Sequence, residues 1–383
     1  MPSAGASAGE TGVDGQAGAG GVSAEPAAAG TGAAGSGETA PAPAARRALS
    51  ADFLGKTLSL VDVDKLKPGA KRADALLGSV DLSMYSPGPL AVAVTPDAKT
   101  ALVSISAGWL GLVGTEVPPG SGMLVFVDLE TLTVKGDLDV GRDPMGILIA
   151  KDGKHAYVGL MSETYMAYVD IEARSFERIA TGNSWNEELA MDDTGTVATL
   201  TTGTAGNAVT FTPEDGAKSL GQTVGLNADA AGTAFFPGTK LAYVVQAPTQ
   251  LTGYLGGYNV IDATDPASPR VTDELRVPND QKISYPATSV PSRMSIIYPS
   301  TDAGTLSLIE MGLEGQKAVE LQKVEVGAAQ QLAYGLHCDD RGRVLVAVPT
   351  DHYVAVVDLN TKESTIVPWE ITETGPVDIK YIP

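Results

Sequence analysis

The chain has 383 residues, with 46 acidic against 26 basic side chains and a net charge of −20. A polyanion is bound by clustered Lys and Arg, so this balance argues against nucleic acid as a partner. The single cysteine, Cys338, excludes an intramolecular disulfide framework, three histidines exclude a His-rich metal centre, and no apolar run reaches the roughly 18 residues of a transmembrane helix.

Residues 1–45 differ in composition from the rest. Gly, Ala, Ser and Pro supply 34 of the 45, and no aromatic, Lys or Arg occurs there. Such a segment buries too little apolar surface to offset roughly 1–2 kcal/mol of backbone entropy per residue. It is expected to be a disordered, acidic tether, with residues 46–383 forming one folded domain. It carries neither a charged n-region nor an apolar h-region, so it does not read as a signal peptide.

From residue 46 onward one pattern recurs, a β-branched run closed by an acid or its substitute. It reads Leu58–Asp62, Leu124–Asp128, Met166–Asp170, Ala208–Thr212, Tyr258–Asp262, Leu306–Glu310 and Val354–Asp358, at intervals of 66, 42, 42, 50, 48 and 48 residues. A second strand precedes most copies, led in by a turn of Asp, Gly or Pro with Lys or Arg, as in Lys151-Asp-Gly-Lys-His-Ala-Tyr-Val158 and Pro237-Gly-Thr-Lys-Leu-Ala-Tyr-Val244. Asp and Gly supply the turn geometry and the branched runs supply the strands. Four short strands every 40 to 50 residues, without helical periodicity, define an all-β chain and the blades of a β-propeller.

The ends say how the ring closes. The first copy has its second, third and outer strands but no inner strand ahead of them. The last residues, Gly375-Pro-Val-Asp-Ile-Lys-Tyr-Ile382, read as an inner strand standing alone. The expectation is a seven-bladed ring in which the C-terminal strand completes the N-terminal blade and leaves no free edge. The recurring acid is expected to cap the turn that follows it, not to act in chemistry.

Each copy resembles the "Tyr-Val-Thr-Asn" type of surface-propeller repeat, whose consensus runs P-D-G-K-x-x-Y-V … V-x-V-I-D. The resemblance covers residues 44–383 and implies a fold without selecting a function, since propellers host lactonases, lyases, redox subunits and binding modules. The Gly/Ala tail resembles the spacer behind the lipidated cysteine of bacterial surface lipoproteins. That resemblance implies an exported, extracytoplasmic protein, lipid-anchored through a signal outside this sequence.

Strand direction places the second-to-third loops and the blade-to-blade links on one rim. The loops Ser106–Gly122 and Gln246–Gly257 are enlarged there, and the links Thr181–Glu187 and Pro278–Pro286 are long or rich. Enlarged loops on one side of a rigid ring point to a binding face. The candidate ligand-binding residues are Trp109, Arg142, Trp185, Glu187, Glu188, Asp229, Tyr254, Tyr285 and His352. An acidic, aromatic-studded mouth suits a small cationic ligand or a protein partner.

Two chemistries compete with simple binding. Asn183, Glu188, Asn227 and Asp229 cluster at the starts of neighbouring inner strands and offer the oxygen ligands that suit Ca²⁺. Propeller lactonases resemble this in holding a central calcium, although no ordered Glu…Asn…Asn…Asp set across opposite blades can be matched here. The pair His337-Cys338 with His352 offers a thiol and an imidazole, but alternation along a strand points His337 and Cys338 to opposite faces. The sequence reads best as a binding or interaction module that needs no cofactor. A calcium-dependent, lactonase-like hydrolase is the alternative, and a scaffold subunit of a redox complex the second.

Overall fold

The computed structural model describes residues 46–107, 122–203, 207–222, 226, 229–247, 256–276, 281–283, 286–328, 333–370 and 375–383. The expected tether lies outside the described residues, as do most of the two enlarged loops. Among the described residues no helix is long and apolar enough to cross a membrane.

The strands group into seven antiparallel sheets. The first begins with β1 (Arg47–Asp52), β2 (Thr57–Asp62) and β3 (Leu76–Asp81). The second is β4 (Pro89–Val94), β5 (Thr100–Ile105), β6 (Gly122–Asp128) and β7 (Thr133–Gly141), and the third is β8 (Pro144–Ile149), β9 (His155–Leu160), β10 (Tyr165–Asp170) and β11 (Ser175–Ala180). The fourth is β12 (Asn186–Met191), β13 (Ala198–Thr202), β14 (Asn207–Phe211) and β15 (Leu220–Gln222). The fifth is β16 (Asp229–Phe235), β17 (Leu241–Ala247), β18 (Gly257–Asp262) and β19 (Arg270–Arg276). In the sixth, the inner edge is split into β20 (Gln281–Ile283) and β21 (Thr288–Val290), both paired with β22 (Ser295–Asp302), followed by β23 (Thr305–Glu314) and β24 (Lys317–Ala328). The seventh is β25 (Gly335–Cys338), β26 (Arg343–Val348), β27 (Tyr353–Asp358) and β28 (Glu363–Pro368).

The last strand, β29 (Pro376–Tyr381), returns to the first sheet, whose order is β29-β1-β2-β3. Its register sets Tyr381 opposite Ala48 and Asp378 opposite Ala51. The sheets are the blades of a seven-bladed propeller, closed by the C-terminal inner strand as the unpaired ends of the repeat imply.

The core lies between blades. Along β26, Val344, Val346 and Val348 pack toward the sixth blade, while Leu345 and Ala347 pack toward the first. Along β5, Ala101, Val103 and Ile105 face the first blade and Leu102 faces the third. A middle strand therefore buries both of its faces, which is why these strands read as continuous apolar runs.

The recurring acids cap turns. Asp128 Oδ1 accepts the N–H groups of Glu130 and Thr131, both at 2.9 Å. Asp170 Oδ1 accepts Ala173 N–H at 2.8 Å, and Asp358 Oδ1 accepts Asn360 N–H at 2.8 Å. In each of these turns the fourth residue after the acid is left-handed: Leu132 at φ 54°, Arg174 at 49° and Lys362 at 61°. Glu310 differs, accepting from Arg293 Nε at 2.8 Å and Gln322 Nε2 at 2.6 Å, which ties its blade to the preceding turn.

The closing seam has its own fastening. Asp52 at the end of β1 is fully buried and accepts Trp369 Nε1 at 2.8 Å, Ser50 Oγ at 2.8 Å and the hydroxyl of Ser59. Arg72 lies 3.6 Å from Asp52 and 6.0 Å above the Trp369 ring. Trp369 follows β28 of the seventh blade, so the carboxylate bridges the blades that chain closure brings together.

Candidate functional site

The inner strands start at the rim that carries the enlarged loops and run down the axis. At their first residues sits an apolar plug. Leu90, Met145 and Val377 are the second residues of β4, β8 and β29, and Phe53 and Met161 reach in from second-to-third loops. All five are at most 6% exposed. Trp185 and Tyr334, each just ahead of an inner strand, pack on this cluster and are half-buried.

One layer further along, the channel turns polar. A cavity of about 60 Å³ is walled by Ala91, Gly146, Glu188, Leu336, Asp378 and Lys380. Asp378 and Lys380 stand two apart on β29 and so share a face of that strand. Asp378 Oδ2 accepts Val92 N–H at 3.0 Å, and its Oδ1 accepts its neighbour Ile379 N–H at 2.8 Å. Lys380 Nζ is 3.7 Å from Asp378 Oδ1 and 3.5 Å from the Leu336 carbonyl oxygen. The Glu188 carboxylate accepts no hydrogen bond from any described group, although its N–H donates to Thr201 Oγ1 at 3.0 Å. Burial pushes the Glu188 carboxyl up to about 7; Lys380 pulls it down and Asp378 adds to the rise. Gly146 makes the room: a β-carbon there would stand 3.0 Å from Glu188 Oε2 and 2.8 Å from the Glu187 carbonyl oxygen.

Beyond the cavity, away from the plug, the inner-strand residues Ala93, Val94, Leu148, Ile149, Ala190 and Met191 are each partly exposed. The axis is thus sealed by apolar side chains at one end, and its inner strands are partly exposed at the other.

The predicted site residues separate on this framework. Glu188 enters the channel, and Trp185 stands over it with φ 60°, its N–H donated to Met161 O at 2.7 Å. Glu187, its neighbour on β12, is 3% exposed and has its Oε1 3.2 Å from where a Gly203 β-carbon would lie, on the other side of the strand. Arg142 is spent on Glu163 Oε1 at 3.3 Å and on the Ser162 carbonyl oxygen at 2.9 Å. His352 is exposed in the Pro349–Tyr353 turn at φ 54°, its carbonyl accepting Trp369 N–H at 2.8 Å. Trp109, Tyr254 and Tyr285 lie outside the described residues, as does the side chain of Asp229, whose backbone opens β16.

Of the four calcium donors, Asn227 and the Asp229 side chain also lie outside the described residues. Asn183 turns its amide back onto the Thr181 carbonyl oxygen at 3.4 Å, while Glu188 faces the Lys380 ammonium. Among the described residues no three acidic, imidazole or thiol side chains converge as a metal group. His337 and Cys338 part as alternation implies. Cys338 packs between the sixth and seventh blades with its thiol pushed up to about 12 by burial. His337 Nδ1 accepts Tyr381 N–H at 2.9 Å, with its imidazole held down to about 3 by burial.

Sequence reasoning missed Asp378, Lys380 and the plug. The signal for the first two was available: an i, i+2 acid and base on a strand already read as the closing inner strand. The plug carries no sequence signal, because its five residues come from five separate places in the chain.

Comparisons with known proteins fit the architecture. The chain is similar to a functionally unknown protein of Desulfotomaculum acetoxidans at 11% identity and a TM-score of 0.66, over 88% of this chain and 98% of that one. It is similar to the periplasmic gluconolactonase of Pseudomonas aeruginosa at 11% identity and a TM-score of 0.64, over 88% and 99%. It is also similar to the hydrazine synthase of Kuenenia stuttgartiensis at 16% identity and a TM-score of 0.58, over 72% and 77%. No family model and no curated protein sequence matches the chain. At these identities the likeness establishes the seven-bladed propeller and leaves function to the site.

Proposed function

We propose that this propeller is a binding module that takes a cationic ligand at the plugged, Glu188-bearing segment of its axial channel. The observation that carries the reading is the Glu188 carboxylate, set in a polar cavity and accepting no hydrogen bond from any described group. A half-buried carboxyl, desolvated by the channel walls and raised to about 7, stores an electrostatic cost that a cation relieves on binding. The tail's likeness to lipoprotein spacers supports a place outside the cytoplasm, and the periplasmic address of the Pseudomonas neighbour is compatible with it.

A lactonase-like hydrolase is the second reading. It draws on the gluconolactonase neighbour and on Glu188, since a carboxylate near neutral pKa suits a general base. A thermal-shift screen against cationic small molecules and simple lactones tests both. Saturable stabilisation by cations without turnover supports the binding module, and lactone hydrolysis lost in Glu188→Gln supports the hydrolase. Stoichiometric calcium that survives dialysis would favour the calcium-dependent form of the second reading.

A further inference from the structure

We propose that the cavity at Glu188 receives a primary ammonium group on an unbranched stem, an inference that rests on the binding reading above and names its ligand class. Three groups set the charge of the cavity. Lys380 and Asp378 lie 3.7 Å apart and offset one another, so the ionised Glu188 leaves the site with one net negative charge. An anionic ligand would meet two carboxylates. A neutral hydroxyl could donate to the carboxylate but would leave the net charge of the cavity uncompensated. An ammonium group gains a charge-assisted bond to the one carboxylate that has no described donor.

Size narrows the class. About 60 Å³ has room for a few water molecules, which suits an ammonium head with its first methylene better than a bulkier trimethylammonium head. The stem has a way out. Ala93, Leu148 and Ala190, on the side of the cavity away from the plug, are partly exposed and present an apolar wall for methylene groups. Of the described titratable groups, Asp378 and Lys380 on β29 face Glu188, and His337 on β25 stands near Lys380; β4 and β8 contribute none. Ammonium binding favours the ionised Glu188, so affinity rises as pH rises through the range in which that carboxyl titrates.

The test is calorimetric titration of the full chain with n-butylammonium, tetramethylammonium and a short peptide containing one lysine. Butylammonium is expected to bind saturably at about pH 8.5 and at least roughly tenfold more weakly at about pH 5.5. Glu188→Gln should abolish this binding while keeping or raising the melting temperature, which separates loss of the site from loss of the fold. Competition by the lysine peptide supports the proposal with a protein side chain as the source of the amine. Failure of the peptide to compete supports it with a free amine as the source. If butylammonium binds Glu188→Gln as well as wild type, or if tetramethylammonium alone binds, the ammonium proposal falls and the binding module stands. If no cation binds, both fall.

Discussion

Asp170 and Asp358 show what a single side chain does in this fold. Each accepts backbone N–H groups of the turn that follows a third strand. Asp170→Ala and Asp358→Ala should each cost about 1 kcal/mol, as lost caps do, and leave ligand binding intact. Equilibrium denaturation checks this, and an unchanged midpoint would remove the capping role. Asp128 makes the same contacts, and the Thr131 N–H foremost holds its carboxyl down to about 2. Its share of stability is present above pH 3.8 and is lost as pH falls toward 2. Glu188 has the opposite sign. Its folded state holds the proton more tightly than the unfolded chain, so its contribution to stability falls as pH rises from 4.5 to about 7. His337, held down to about 3 from 6.5, makes stability rise over part of the same window. The difference between wild type and Glu188→Gln isolates the glutamate. The variant should be the more stable by about 2 kcal/mol near pH 8, after allowing for solvent in the channel, and the gap should close toward pH 4.5. Melting curves across pH measure it, and a gap that does not close on acidification would contradict the desolvation of Glu188 in the channel.

At the scale of the element, the inner strands are shaped by close approach. Gly146 on β8 lies so near β12 that an added methyl would stand 2.8 Å from the Glu187 carbonyl oxygen. Backbone cannot yield there as a flexible side chain would, so Gly146→Ala should destabilise by about 1–3 kcal/mol and disturb the Glu188 carboxyl. The readout is a lower melting temperature together with a changed pH profile. A variant that melts like wild type would mean that β8 and β12 are further apart. Turn, strand length and apolar runs were all legible in the sequence at this scale, because they follow from local chemistry. The plug was not, since Phe53, Leu90, Met145, Met161 and Val377 come from three blades and meet only once the C-terminal strand has closed the ring.

At the scale of the whole molecule, closure decides stability. The β29 strand pairs with β1 and also supplies Asp378 to the β4 backbone, so one strand serves two blades and the channel. Deleting residues 376–383 should abolish the cooperative transition, because it bares the β1 edge and leaves buried backbone donors unpaired at about 1–3 kcal/mol each. Trp369→Phe is a milder probe of the same seam. It keeps an aromatic ring but removes the bond to the buried Asp52 carboxylate and part of the indole volume, at a cost of about 2–4 kcal/mol. Chemical denaturation compares the two, and a truncated chain that melts within a few degrees of the full one would refute closure by the C-terminal strand.

The sequence by itself determined the number of blades, the strand order within each, the capped turns and the rule of closure. These rest on a repeat whose period, turn residues and alternation act over a few residues at a time. The sequence also placed Glu188 among the candidates, but beside Glu187, which the strand sends to its other face. Only the tertiary structure decided that Glu188 meets Asp378 and Lys380, that a plug seals one end of the axis, and that Asp52 fastens Trp369. The reason is distance along the chain. Glu188 and Asp378 lie on the fourth and first blades and become neighbours only when the ring closes and every inner strand faces one axis.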